Sequence, residues 1–376
     1  MTGSDRPPRI ALAIQRLVPA GGLEQHALRL AEALATRGAE VALVTTQTPA
    51  TAPAFAALRP VAARGRTNHG RLEAFAVDAS REAAAWRSDL AVAFHAIPGF
   101  DALFLADPSR ARPRGLRGWL PRYRAFARLE RAALGPEGAR LALTLSSVQR
   151  DAFARNHPAS PARIELLPPT VDRRRAGSAA RPAGSASAAR RALGMAEAGP
   201  VWLWIGLQPR TKGLDRTLAA LAQSPEARLL VAGLSPEGKA GADARRLAAR
   251  LGVEARVAWL GFTGEAALAD AFAAADMLVH PSRADVTGTV ILEAMASGLP
   301  VITTAACGYA EHVRAADAGA VLPEPFEARA LVRAIESAMP AALARWSANA
   351  GAYVGQEALF SGLERAADLL LSVRAR

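Results

Sequence analysis

RIALAIQRLVPAGGLEQHALRLAEALATRGAEVALVTT, residues 9–46, decides the fold class. Arg9 to Ile14 is a short buried run with the length of a strand, and a loop through Gly21 and Gly22 follows it. Glu24 to Arg37 then carries apolar residues at helical spacing until Gly38 stops the helix, and Val41 to Thr46 is a second β-rich run. The order strand, loop, helix, strand is the unit of a parallel sheet covered by helices. Leu90 to Phe94, Leu141 to Leu145 and Ile164 to Leu167 supply further strands, so the first part of the chain is an α/β domain.

From Thr170 the composition turns to Arg, Ala, Gly, Ser and Pro without hydrophobic periodicity, which predicts a linker over 173–195. Beyond it the rhythm restarts. Val201 to Ile205, Arg228 to Ala232, Val257 to Leu260, Met277 to His280 and Val301 to Thr304 read as strands, with helices between them. A chain of 376 residues exceeds what one hydrophobic core supports, so two domains are expected, 1–172 and 196–355. The tail, about 356–376, has helical spacing and can pack on either domain. Two doubly wound domains in tandem place ligands at the carboxyl ends of their strands, in the cleft between them.

Composition removes several classes. With 51% apolar and 21% charged residues the chain is neither disordered nor fibrous. No run approaches a membrane span, and Met1 to Pro8 lacks the apolar core of a signal peptide, so a cytoplasmic location is expected. Cys307, the single cysteine, excludes an internal disulfide or a thiolate cluster, and the histidine spacings suggest no metal site. The net charge of +12 favours phosphate-rich partners: nucleic acid, an anionic membrane face or a nucleotide substrate. Only Lys212 and Lys239 are lysines, which singles out Lys212 within its loop.

Chemistry concentrates in two loops of the second half. His280-Pro-Ser-Arg-Ala-Asp-Val-Thr-Gly-Thr-Val-Ile-Leu-Glu293 is a strand end and a glycine-containing loop that opens a helix. The backbone N–H groups of Gly288, Thr289 and Val290 are donors of that helix's first turn, suited to a phosphate. Glu293 follows Asp285 by eight positions, close enough for both to reach one ligand, with Glu293 able to accept ribose hydroxyls. Spacing alone equally allows Asp285 to be a helix cap and Glu293 a solvated residue. The loop Ile205-Gly-Leu-Gln-Pro-Arg-Thr-Lys-Gly213 brings Arg210 and Lys212, a fork and a point charge, towards a diphosphate. It is neither a Walker loop nor a G-x-G-x-x-G turn.

The first half offers Gly21 and Gly22, where bare backbone can approach an anionic or sugar group, and Phe94-His-Ala-Ile-Pro-Gly-Phe-Asp101. His95 and Asp101 are expected just after a strand, facing the cleft, although a lone histidine is more often structural. Arg110 to Arg131 interleaves eight arginines with Leu116, Trp119, Leu120, Tyr123, Phe126 and Leu129. Such a segment can lie at an anionic bilayer surface, hold nucleic acid or simply be solvated.

The Lys212-Gly213 loop, the Asp285-to-Glu293 spacing and Gly298-Leu-Pro-Val-Ile-Thr-Thr304 resemble the GT-B glycosyltransferases of family 4. Thr67-Asn-His-Gly-Arg71, Pro98-Gly-Phe-Asp101, Leu167-Pro-Pro169 and Thr303-Thr-Ala-Ala-Cys-Gly-Tyr-Ala310 narrow the likeness to the bacterial lipopolysaccharide core glucosyltransferases that act on an inner-core heptose. The resemblance implies two Rossmann-like domains, a final helix that returns to the first of them, UDP-glucose as donor, retention of the α configuration, no metal, and work at the inner face of the cytoplasmic membrane. It also implies that Glu293 holds the ribose, that Lys212 and Arg210 hold the diphosphate, and that the amides of Gly288 and Thr289 with the Gly21-Gly22 loop complete the phosphate site. Asp285 stands where the family usually has glutamate, and His95 and Asp101 become candidates near the reacting sugar or acceptor. The partners implied are a UDP-sugar, a lipopolysaccharide core precursor and, through Arg110–Arg131, an anionic membrane, not nucleic acid. A different sugar nucleotide or acceptor, or a non-catalytic basic binding protein, are the rival readings.

Overall fold

The computed structural model describes residues 6–17, 22–48, 53–111, 118–171, 185–195, 199–262 and 264–374. The chain forms two compact units, Met1–Thr170 with Phe360–Arg376, and Val171–Leu359. In the first, β1 (Arg9–Ala13), α1 (Gly22–Thr36), β2 (Glu40–Thr45), β3 (Ala57–Pro60), α2 (Asn68–Ala85), β4 (Leu90–Ala93), β5 (Ala102–Leu105), α3 (Pro121–Ala133), β6 (Leu141–Thr144), α4 (Ser147–Asn156) and β7 (Arg163–Leu166) follow in order. All seven strands are parallel, in the order β3-β2-β1-β4-β5-β6-β7.

The second unit contains α5 (Ser185–Ala192), β8 (Val201–Ile205), α6 (Leu214–Leu221), β9 (Arg228–Ala232), α7 (Lys239–Arg250), β10 (Val257–Gly261), α8 (Glu265–Ala274), β11 (Met277–His280), α9 (Thr289–Ala296), β12 (Val301–Thr304), α10 (Ala310–Ala316), β13 (Gly319–Leu322), α11 (Ala328–Glu336) and α12 (Pro340–Val354). Its sheet is again parallel, ordered β10-β9-β8-β11-β12-β13. Each sheet reverses its winding once, between β1 and β4 and between β8 and β11. Loops leaving the carboxyl ends of those strands flank the point where doubly wound sheets bind ligands. The α/β, two-Rossmann-unit architecture read from the sequence is the one observed.

The central strands are continuously apolar because helices cover both faces. Ile10 to Ala13, Leu90, Val92 and Ala93 in the first unit, and Val201 to Trp204 in the second, are all but inaccessible. Phe75, Leu103 and Phe153 fill one core and Trp202, Trp204 and Leu218 the other, each large apolar side chain contributing about 1.5–3 kcal/mol. Three four-residue strands, β3, β5 and β13, escaped the pattern reading, although β4, β6, β7, β11 and β12 are as short and were read.

The segment expected to be a plain linker ends in structure. Residues 185–192 form α5, which packs on α8, and the buried Arg190 grips both carboxylate oxygens of Asp276 at 2.8 Å. Asp276 Oδ2 also accepts from Val201 N at 2.7 Å, so the helix is tied to the start of β8. Composition hid this helix because its anchor is one arginine rather than an apolar stripe. At the other end α13 (Gly362–Arg374) packs on α1, with Arg37 donating to Glu364 at 2.6 Å and Asp368 at 2.8 Å.

Candidate active site

The second unit's site is built from the two loops beside its switch point. After β8 the chain turns through residues 206–213, and Gly213 starts α6 with φ +78°, a left-handed conformation that favours glycine. A Cβ there would also collide with the carbonyl of Pro281 in the loop after β11. The two loops are stitched together by Arg283, whose N–H donates to Thr211 O at 2.8 Å. Its guanidinium donates to Arg210 O at 2.6 Å and forks onto Asp215 at 2.7 Å. Trp204, fully buried, donates from Nε1 to Lys212 O at 3.1 Å and fixes the backbone of the lysine.

The result is a close charge pair. Lys212 Nζ lies 2.5 Å from Asp285 Oδ2, and His280 Nε2 is 3.3 Å from the same oxygen. Burial alone would push the Asp285 carboxyl up. The hydrogen bond from His280 and the charge of Lys212 outweigh it and hold the group at about 2. Asp285 is therefore a carboxylate at any physiological pH. His280 Nδ1 is buried without a hydrogen-bond partner among the described residues, so the ring faces Asp285 through Nε2 alone.

Cys307 completes the floor. Asp285 and Cys307 form a parallel bridge, with Asp285 N donating to Ala306 O at 3.2 Å and Gly308 N to Asp285 O at 2.9 Å. Gly288, which starts α9 at φ +74°, sits so close over Cys307 that a Cβ would strike its Sγ. His280, Asp285 and Cys307 thus bring three potential metal ligands within 4.8 Å of one another, a grouping the sequence spacing did not suggest. Their chemistry fits a cation poorly. An ammonium already sits on the carboxylate, and burial with the nearby Asp285 charge pushes the Cys307 thiol well above its ordinary range.

Among the other anticipated residues, Thr289 and Val290 form the first turn of α9, which has no side-chain cap. Glu293 lies on the same helix and is 6% exposed, so it is not the solvated residue that its polarity allowed. Every residue of α9 from Val290 to Ala296 is buried, which accounts for its location. Arg210 is exposed and borders a separate groove between α6 and α7, lined also by Leu218, Ala244 and Leu247. Of the residues that hold the geometry, Trp204 had no signal beyond its proximity to the 205–213 loop, and Arg283 and Cys307 lay inside quoted stretches, 280–293 and 303–310, without being singled out for this role.

In the first unit Gly22 is the first residue of α1, whereas Gly21 lies outside the described residues. His95 follows β4 at the carboxyl edge, its Nδ1 3.6 Å from Asp107 Oδ2. Burial would raise the Asp107 carboxyl, but the bond from His95 and the charges of Arg110 and His95 hold it below the usual range. Asp101 is not beside His95. The segment between β4 and β5 runs back along the sheet, so Asp101 immediately precedes β5 at the opposite, amino edge. There its Oδ2 accepts from Ala91 N at 2.8 Å and its Oδ1 faces Arg140 at 3.5 Å, a structural latch rather than a cleft residue. Of the arginine-rich segment, Arg112, Arg114, Leu116 and Arg117 lie outside the described residues. The remainder presents Trp119, 79% exposed, next to Leu120 and the guanidinium of Arg122, stacked 4.9 Å from the Tyr123 ring centre. No helix among the described residues is long and apolar enough to cross a membrane.

Comparison with known proteins gives the family of both units. Residues 20–175 match Glycosyltransferase Family 4 and residues 186–351 match Glycosyl transferases group 1. The chain is 32% identical over 373 residues to lipopolysaccharide glucosyltransferase WaaG of Escherichia coli (strain K12), covering 96% of this chain and 98% of that protein. It is 31% identical over 355 residues to D-inositol 3-phosphate glycosyltransferase of Mycobacterium bovis (strain BCG / Pasteur 1173P2), covering 84% of this chain and 72% of that one. The crystal structure of WaaG, a glycosyltransferase involved in lipopolysaccharide biosynthesis, superposes with a TM-score of 0.85 at 30% identity, over 96% of this chain and 99% of that one.

Proposed function

The chain belongs to the GT-B glycosyltransferases of family 4, and from that premise we propose that it moves glucose from UDP-glucose to a heptose of the lipopolysaccharide core, retaining the α configuration. The observation that carries the reading is the likeness to a lipopolysaccharide glucosyltransferase along nearly the whole of both chains. The Lys212–Asp285 pair beside the start of α9 is consistent with it.

The chemical difficulty in glycosyl transfer is a departing nucleotide diphosphate that gains negative charge as the sugar becomes oxocarbenium-like. Fixed positive charge at the leaving group lowers that barrier. Lys212 takes this role, with the N–H groups of Gly288, Thr289 and Val290 as uncommitted donors, whereas Arg210, which borders the groove between α6 and α7, can join it only if its exposed side chain swings over. Glu293 accepts the ribose hydroxyls. Asp285 positions Lys212, and His280 braces Asp285, so the ammonium is held before the donor arrives. Lys212 and the amides meet the diphosphate charge directly, and no metal is required. A retaining hydrolase uses two carboxylates about 5 Å apart, one as the nucleophile, whereas Asp285 is engaged by Lys212 and His280. The leaving phosphate oxygen therefore takes the acceptor hydroxyl's proton as the new bond forms on the same face of the sugar. His95 orients the acceptor.

The enzyme works at the inner face of the cytoplasmic membrane. The exposed Trp119 and Leu120 and the arginines of α3 support a peripheral attachment in which the ring enters the headgroup layer and guanidinium groups meet lipid phosphates. Incubation with UDP-glucose and a heptose-terminated core acceptor, in the presence of EDTA, should yield an α-linked glucoside by mass and anomeric NMR. A β-linked product, a lack of transfer, or dependence on added divalent metal would each remove a part of the reading.

A further inference from the structure

The first unit carries a basic cavity at the carboxyl edge of its sheet to which the donor chemistry assigns no use. Its volume is about 660 Å³, ample for a disaccharide-sized group. Gln15 and Arg16 reach it from the loop after β1, Thr46 and Gln47 from that after β2, Arg64 from that after β3, and His95 from that after β4. Arg71 and Arg110 close the wall.

Four of the lining side chains are arginines and one, Asp107, is a carboxylate. Arg64 is paired with Asp78 and Arg110 with Asp107 at 3.1 Å. Arg71 is committed only to the carbonyl of Gly65 at 3.1 Å, and Arg16 has no carboxylate partner among the described residues. After both acids are counted, two positive charges remain, on Arg16 and Arg71. A neutral sugar offers nothing to balance them, whereas a guanidinium fork matches the oxygens of a phosphate or carboxylate.

We propose that this cavity recognises an anionic substituent, a phosphate ester or a sugar carboxylate, on the acceptor saccharide, through Arg16 and Arg71. The proposal rests on the glucosyltransferase reading for the word acceptor, and on the cavity alone for the anion. Gln15, Gln47 and Asn68 supply neutral hydrogen bonds to sugar hydroxyls. His95, at the floor beside Asp107, marks the end of the cavity where the reacting hydroxyl belongs.

The test uses the full chain and a deacylated heptose-containing core oligosaccharide in three forms: untreated, phosphatase-treated, and with its carboxyl groups reduced to alcohols. Calorimetric titration without donor reads binding, and initial rates with UDP-glucose read KM. One of the two treatments should weaken binding to the wild-type chain by on the order of 10-fold to 100-fold, the range of a charge-assisted hydrogen bond, and which one identifies the anion. Arg16→Gln with Arg71→Gln should weaken binding of the untreated form by a similar factor and should no longer distinguish it from the neutralised form. An unchanged melting midpoint of the double variant verifies that it is folded. Equal affinity of the wild-type chain for all three forms, no binding of any, or full binding by the folded double variant would each overturn the proposal. A wild-type chain that binds the untreated oligosaccharide selectively but does not glucosylate it would overturn the glucosyltransferase reading and leave the anion assignment standing.

Discussion

The two units share a strand order yet begin their helices differently. In the first, Thr67 caps α2 by accepting from Gly70 N at 3.1 Å, and Ser146 caps α4 by accepting from Gln149 N at 3.3 Å. In the second, the helices that follow β8, β9, β10 and β11 start at Gly213, Gly238, Gly264 and Gly288, and none has a side-chain cap. Glycine at this position forgoes only a few tenths of a kcal/mol relative to serine, so withholding the cap is cheap. It leaves amide donors open at the carboxyl edge of the sheet, where a nucleotide's oxygens can occupy them. The contrast thus lies between α2 and α4, which side chains cap, and the four glycine-started helices of the second unit, whose first amides stay open; α3 of the first unit, which starts at Leu120, has no side-chain cap either.

The largest effect should come from removing charge where the caps are missing. Lys212→Ala and Glu293→Ala are each expected to lower kcat/KM for UDP-glucose by a factor on the order of 100. Near-normal turnover in both would erase the functional contrast between the units. Next comes Gly213→Ala, which forces a side chain into the left-handed region and against Pro281. A loss of about 3 kcal/mol in denaturant unfolding is expected, combining the conformational cost with overpacking.

Acid should separate the units by pH window. His26 in α1 is lowered to about 4 by burial and the nearby Arg29, and its Nε2 lies 2.9 Å from Thr170 Oγ1. In the unfolded chain it takes up a proton near 6.5, so the first unit loses on the order of 2–3 kcal/mol as pH falls from 6.5 to 4. Asp285, held at about 2, resists protonation that an unfolded aspartate undergoes near 3.9, so its contribution of about 2 kcal/mol in the second unit survives that range and disappears only between 4 and 2. Hydrogen exchange read peptide by peptide at pH 7, 5 and 3 should show the first unit loosening first. Simultaneous loosening would mean that other groups govern the acid response. The smallest effect is Ser146→Ala, expected to cost about 1 kcal/mol while leaving the KM for UDP-glucose unchanged.

Much of this was legible in the chain itself. Buried parallel strands advertise themselves as unbroken apolar runs, and every one of five residues or more stood out, together with the four-residue β4, β6, β7, β11 and β12. Lys212, Asp285 and Gly288 were legible because they lie in loops bounded by such strands. Asp101 was misplaced because a strand boundary was missed: without β5, nothing in Pro98-Gly-Phe-Asp101 tells that the chain has already crossed to the other edge. Arg283 and Trp204 act through hydrogen bonds to backbone carbonyls, contacts that depend on the fold and leave no periodic trace.

The return of α13 to α1 sets an order of events during synthesis. Leu30, Ala31 and Leu34 line a helix that meets its covering partner only when residues 362–374 have been made, after the whole second unit. While the ribosome is still adding those intervening residues, α1 lies on its sheet with its outer flank bare, and a chaperone or an early stop codon would act at that flank first.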